Sequence, residues 1–286
     1  MRGSVEPREA EVSKVYRHDT TPASARATMA TASRRQARNP LRCGMADLHM
    51  HTTHSDGQPT VRQLLDYVAT RTPLDVIAIT DHDTISGALE AQEMLRHLPC
   101  ALEVIVGEEV STRDGHLVGL FLRERVQPGL SAAETVAAIH AQGGLAFAPH
   151  PFLRDTPRRG KPTTMVGLGT LIAQLDLDAI ETINATPFLT LANRRAQRYN
   201  TSVCHQPTLA NSDGHILGAV GKGYTTFPGH TAHDLYTAIT GGMIAAHSRP
   251  YNSSELLNYL RFWLRLTGGR VPVRALRGAQ PRPSRP

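Results

Sequence analysis

The chain has 286 residues, of which 40% are hydrophobic, 20% charged and 5% aromatic; this suits one barrel-sized α/β domain or two small ones and is too apolar for a disordered protein. No apolar run approaches the roughly 18 residues of a membrane span, and no early segment has the hydrophobic core of a secretory signal. The net charge of +6 divides as +5 over residues 1–44, −5 over 45–264 and +6 over 265–286, so the basicity lies in two tails and gives the region between them no nucleic-acid signature.

Residues 1–44 mix Arg, Ser, Thr, Ala and Pro without a hydrophobic period and read as a disordered basic tail. A transit peptide is argued against by Glu6, Glu9, Glu11 and Asp19, and a mis-called start at Met29 or Met45 is the other reading. Strand and helix then alternate. A short strand is expected over 46–51, followed by a helix that Thr60 can cap, with Val61, Leu64, Leu65 and Val68 on its apolar face. Next come a buried strand over 75–80, a helix over 85–97, strands over 103–106 and 116–122, a helix over 131–141 and a strand over 145–149. Beyond a polar loop, helices are expected near 169–175, 189–200 and 232–240, with strands over 178–183 and near 208–211. An amphipathic helix over 251–266, with Leu256, Leu257, Leu260 and Leu264, precedes a second basic tail over 267–286. Repeated βα units imply a parallel sheet, open or closed into a barrel spanning 45–250. Cys43, Cys100 and Cys204 are odd in number and far apart. They form no disulfide framework, and a reducing cytosol is the expected compartment.

Histidines and carboxylates gather where these strands end. Asp47-Leu48-His49-Met50-His51 runs on to His54, Ser55 and Asp56; Thr80-Asp81-His82-Asp83 closes the second strand; Gly107-Glu108-Glu109-Val110-Ser111 closes the third. His116 opens a strand, His150 closes one, and Asn211-Ser212-Asp213-Gly214-His215 closes another. In parallel βα architectures these ends share one rim, where active sites are built. On a strand, His49 and His51 point to the same face and form a chelate. Imidazole and carboxylate suit Zn, Mn or Fe, and six histidines with three carboxylates exceed one coordination sphere.

These segments, DLHMHTTHSDG, ITDHDT, GEEVS, HLVGL, APHPF and NSDGH, occur in an order that resembles the PHP (polymerase and histidinol phosphatase) family of metal-dependent phosphoesterases over roughly 46–227. The resemblance implies an α/β fold, a distorted (β/α)7 barrel flanked by disordered tails, with three divalent metals at the carboxyl rim. It assigns His49, His51 and Asp213 to the first metal; Glu109 as a bridge to a second held by His116 and His150; and Asp56, His82 and His215 to the third. Glu109 is preferred to Glu108 because the family's bridging residue immediately precedes the Val-Ser pair. The implied reaction is attack on a phosphomonoester by a metal-bridging hydroxide. Nucleotides or the ends of short oligonucleotides are the expected substrates. His54 is the candidate to protonate the leaving group, and Asp81 to orient His82. The short stretch between Glu109 and His116 departs from the family pattern.

The loop 154–161 follows His150, and its Arg154, Arg158 and Arg159 are candidate substrate contacts; an ordinary solvated loop is the alternative. The C-terminal helix, with Phe262 and Trp263, is expected to cover the barrel wall, the alternative being a membrane surface or a partner. Two rival functions remain. An amidohydrolase uses the same HxH pattern but commonly needs a bridging lysine on a middle strand, and Lys14, Lys161 and Lys222 do not supply one. A non-catalytic metal-bound regulatory module is the other. Oligomeric state is not legible.

Overall fold

The computed structural model describes residues 43–96, 101–153 and 166–266. Residues 1–42, the tail 267–286 and the Arg154, Arg158 and Arg159 loop lie outside the described residues, and Gly44, expected in the N-terminal tail, opens β1. The chain order is β1 (Gly44–Asp47), α1 (Val61–Arg71), β2 (Val76–Ile79), α2 (Ser86–Arg96), β3 (Glu103–Ser111), β4 (His116–Leu120), α3 (Ala132–Ala141), β5 (Leu145–Ala148), β6 (Ala179–Asn184), α4 (Thr190–Tyr199), β7 (Thr208–Asn211), β8 (Gly223–Phe227), α5 (Ala232–Thr240), β9 (Ala245–Ser248) and α6 (Ser253–Leu266). The segment 169–174, expected as an α-helix, is a 3-10 helix, and α4 runs on into a π-helical turn over 200–204.

Local chemistry explains the helix starts. Thr60, Ser131 and Thr231 each accept an amide proton three residues on, and Gln63, Glu134 and Asp234 return a bond to the cap, closing three capping boxes. The buried face of α1 is Val61, Leu64, Leu65 and Val68, at the spacing that turns one helical stripe toward the core.

Nine strands form one sheet in the order β7-β6-β5-β4-β3-β2-β1-β8-β9. The sheet curls until its ends nearly meet: Thr225 of β8 accepts the amide of Ala210 in β7 through its hydroxyl, at 3.0 Å. This barrel-shaped, mixed α/β architecture corrects the parallel reading in one respect. The β1–β2, β2–β3, β5–β6 and β6–β7 pairs are parallel. The β3–β4, β4–β5, β1–β8 and β8–β9 pairs are antiparallel. The cause for β4 is the four-residue link from Ser111 to His116, far short of the dozen or so residues a parallel crossover requires. Two buried apolar layers back the sheet. One holds Leu64, Ile77, Ile79 and Val106 under α1 and α2, and the other holds Val76, Ile105, Phe147 and Tyr236 inside the barrel and beneath α5.

Candidate metal centre

β1 ends at Asp47, two residues before the first histidine of the HxH pair, so the pair is not on a strand as expected. The alternation survives because the backbone stays extended beside the segment after β7: Gly214 N–H donates to His49 O and His51 N–H donates to Gly214 O. The two imidazoles therefore share a face, with ring centroids 5.2 Å apart. Asp47 braces this junction, its carboxylate accepting the amides of Ser212 and Gly221. Burial, offset by those amides, pushes Asp47 up to about 6.

Glu109 sits at the centre. One carboxylate oxygen lies 3.0 Å from His49 Nε2, 3.2 Å from His51 Nε2 and 3.5 Å from His82 Nε2. The other lies 2.8 Å from His116 Nδ1 and 3.0 Å from His150 Nε2. His116 opens its strand, yet it reaches this rim because β4 runs antiparallel to β3 and is paired with Ser111. Around Asp213, His49, His51 and His215 stand at 3.3–3.5 Å. Asp56 faces His51 at 3.5 Å, His215 at 3.2 Å and His82 at 3.9 Å. The donor atoms fall into four overlapping groups: His49, His51 and Asp213; His51, Asp56, His82 and His215; His49, Glu109 and His150; His82, Glu109 and His116. All nine residues expected at the rim thus meet in one volume.

These donors suit divalent cations better than one another. An ionised carboxylate offers about four lone-pair directions, whereas five imidazole nitrogens crowd Glu109. His51 is fully buried, and neither of its nitrogens has a hydrogen-bond partner. Unpaired buried polar atoms are costly, and imidazole nitrogens convergent on shared carboxylates are a metal-ligand arrangement. Among the side chains themselves the charges compensate. Burial pushes His51 down, but Asp213 and Glu109 carry it up to about 10. Glu109 and Asp213 lie well below the carboxylate range because the surrounding imidazoles outweigh their burial. His150, Asp213 and Asp83 have φ of +28°, +52° and +53°, a left-handed backbone that costs non-glycine residues and concentrates at functional sites.

The remaining expected residues stand apart. His54 Nε2 pairs with Glu90 at 2.6 Å and belongs to none of the four donor groups. Asp81 does not orient His82. Its oxygens accept the Thr52 amide and hydroxyl, both at 2.7 Å, and the Ser55 hydroxyl at 2.6 Å, which pins the loop carrying Asp56. Gly87 lets α2 approach this brace; a Cβ there would meet Asp81 Oδ2 at 2.3 Å. Glu108 points away from the cluster, accepting the Val126 amide at 2.7 Å. Lys222, the lysine among the described residues, pairs with Glu255 outside the cluster, so no described lysine bridges it.

Sequence reasoning missed Glu181. This buried acid accepts the His150 amide at 2.7 Å, lies 3.1 Å from His49 Nδ1, and accepts amide protons from Asn184 and Asn211, each at 2.9 Å. Asn184 also donates to Asp213 at 3.1 Å. One carboxylate thus ties three rim strands together behind the histidines. Its signal was an acid in the middle of the strand segment DAIETI, flanked by Ile180 and Thr182.

A PHP-associated family model matches residues 190–243. Uncharacterized protein MJ1587 of Methanocaldococcus jannaschii is 38% identical over 151 residues, covering 49% of this chain and 81% of that protein. The chain belongs to the PHP family of metal-dependent phosphoesterases. A PHP-family fold is shared with a two-domain Bacteroides vulgatus protein containing a predicted PHP-like metal-dependent phosphoesterase, with a TM-score of 0.57 and 18% identity over 78% of this chain and 71% of that one. The 5'-3' exoribonuclease Rnm of Escherichia coli is 41% identical over 78 residues, which span 26% of each protein. PHP-family similarity to that enzyme therefore covers about a quarter of its length. No helix among the described residues is long and apolar enough to cross a membrane.

The C-terminal helix corrects another expectation. α6 lies beside the rim rather than over the barrel wall. Among the described side chains of α6, Tyr259 and Phe262 are buried and pack on Ile216 and Ala219, while Leu257 and Leu264 are exposed. Phe262 stands 5.9 Å from the His215 ring, centroid to centroid. The side chain of Trp263 lies outside the description.

Proposed function

We propose that this chain hydrolyses phosphomonoesters, with nucleotides or the ends of short oligonucleotides as substrates, using three divalent cations drawn from Mn, Zn or Fe. His49, His51 and Asp213 would hold the first; Glu109 would link it to a second on His116 and His150; Asp56, His82 and His215 would hold the third. Such cations bring the pKa of a coordinated water to about 7 and neutralise phosphate oxygens. The chain's own residues do the positioning. Glu181 faces His49 Nδ1 and so leaves Nε2 for a cation, and a ligand's outer partner of this kind commonly sets its tautomer and orientation. The left-handed turn at His150, secured by the Glu181 bond, aims its ring at Glu109. Asp81 holds the loop from which Asp56 reaches His215. The solvent-facing side of the pocket is the Asp56–His82 side, since His49, His51 and Glu109 are buried.

The observation that carries this reading is one buried carboxylate within 3.5 Å of five imidazole nitrogens. The test measures phosphate release from a panel of nucleotides with added Mn²⁺, beside metal content by elemental analysis. Wild type should release phosphate and carry about three metals, while His49→Ala and Glu109→Ala should lose at least ~10²-fold in turnover, as removal of an essential electrostatic group does, together with bound metal. Metal-loaded wild type that is silent across the panel would overturn the reading.

A further inference from the structure

The four donor groups of the candidate centre are not equally enclosed. Every member of the His49, His51 and Asp213 group and of the His49, Glu109 and His150 group is buried, whereas in the His51, Asp56, His82 and His215 group Asp56 is exposed and His82 and His215 are half-buried. A side chain that can still rotate loses that freedom on coordinating a cation, so an open group depends on its neighbours to hold the ligands in place. His215 is held in two ways. Its Nδ1 lies 3.0 Å from the Asp213 carbonyl; a carbonyl only accepts, so Nδ1 carries the proton and Nε2, 3.2 Å from Asp56, is left for a cation. Its ring stacks on His51 at 4.2 Å between centroids and meets Phe262 of α6 at 5.9 Å, the latter contact coming from outside the donor groups.

α6 is anchored well enough to hold that position. Asn252 and Glu255 exchange hydrogen bonds across its first turn, and Lys222 pairs with Glu255. Tyr259 and Phe262, three residues apart and so on one face, pack on Ile216 and Ala219, just after His215 in the chain. The Tyr259 hydroxyl lies 3.4 Å from Thr186 Oγ1, two residues from the Asn184 that donates to Asp213. The helix leaves Leu257 and Leu264 exposed and turns these two aromatics inward. We infer that Phe262 is a positioning residue: it holds the His215 ring in ligand geometry, so that the C-terminal helix completes the third cation's site without supplying a ligand. On the three-cation reading, on which this rests, the barrel alone holds two cations and the third needs α6.

The experiment titrates Mn²⁺ into the metal-stripped full chain and counts sites and affinities from the paramagnetic resonance of free Mn²⁺. Wild type is compared with Phe262→Ala, Phe262→Leu, His215→Ala and the His215→Ala/Phe262→Ala double variant. Phe262→Ala should keep two sites at wild-type affinity and weaken the third at least tenfold, the lower end for loss of a ligand's supporting partner. Phe262→Leu, which returns an apolar side chain to the ring, should recover part of that loss but not all. His215→Ala should lose the same site, and because Phe262 acts through His215, adding Phe262→Ala to it should cost no further metal affinity. Three wild-type affinities in Phe262→Ala, or all three sites weakened together, would overturn the role of Phe262 and leave the metal centre standing. If Phe262→Ala does not fold, three unchanged affinities in Phe262→Leu overturn it equally. Wild type that binds fewer than three Mn²⁺ overturns the three-cation reading, and the role of Phe262 with it.

Discussion

The two ends of the barrel both carry acids, and they use them differently. At the amino ends of the strands, each acid takes up a main-chain amide: Asp75 accepts from Met45 at 3.0 Å, Asp178 from Ala146 at 2.8 Å and Glu103 from Ala232 at 2.7 Å. Asp75 and Asp178 each also face one imidazole, His230 at 3.6 Å and His140 at 2.8 Å, whereas at the carboxyl rim Glu109, Asp213 and Asp56 each face several, with backbone forced into left-handed conformations at His150 and Asp213. An acid bonded to an amide locks two segments together. An acid that faces several imidazoles holds charges close without satisfying them, and folding alone gives no reason for that. Stability thus resides at one end and chemistry at the other, the division usual in βα barrels.

Glu181 tests the boundary most sharply, because it does both: it accepts an amide from His150 and faces His49. If it belongs to the rim, Glu181→Gln should keep the fold while weakening metal binding or activity by about 10–100-fold, the usual effect of losing a ligand's outer partner. Metal titration followed by turnover assay checks this. Unchanged metal affinity with a lowered unfolding midpoint would place Glu181 with the structural acids and break the division.

The sequence showed the candidate ligands more clearly than the scaffold that aims them. HxH, the late NSDGH and the acid preceding Val-Ser were legible as candidates because residues suited to metal binding are chemically specific and cluster at strand ends. The β8–β9 pair was not. Gly223–Phe227 alternates buried and half-buried residues over only five positions, and Ala245–Ser248 has no buried residue, so neither has the apolar run that marks a buried strand. The direction of β4 was readable in principle from the four residues before it, but the repeated βα pattern elsewhere overrode that local cue. On α6, apolar periodicity marked four leucines and composition marked Phe262, whereas among the described side chains Tyr259 and Phe262 are the ones buried beside the rim. Their choice depends on where the helix docks, which lies outside its own sequence.

At the opposite end, Asp178 should behave as a purely structural acid. It accepts the Ala146 amide and sits 2.8 Å from His140 Nε2. Asp178→Asn should cost about 1–3 kcal/mol, the range for a buried hydrogen-bonding group left badly paired, and leave kcat/KM and metal content at wild-type values. Denaturant unfolding alongside a phosphatase assay reads both. A loss of activity at unchanged stability would mean that the amino end communicates with the rim.

The smallest effect concerns the cap of α5 and gives the structural class a pH signature. Asp234 accepts the amides of His230 and Thr231, and although burial acts to raise its carboxyl, these bonds hold it below its ordinary 3.8. A carboxyl lowered by folding binds fewer protons in the native state, so its contribution is complete above 3.8 and fades as pH falls through the lower folded value. Asp234→Asn should therefore be less stable than wild type at neutral pH, with the gap closing only as the pH falls below 3.8 and through the lower folded value, where the wild-type carboxyl is uncharged as well. Thr231→Ala, which removes the other half of the capping box, should cost about 1 kcal/mol and leave the Asp234 amide bonds able to titrate. A gap for Asp234→Asn that persists undiminished into acid would show that the carboxylate's charge contributes nothing to the cap, and that this acid works through shape and hydrogen bonding alone.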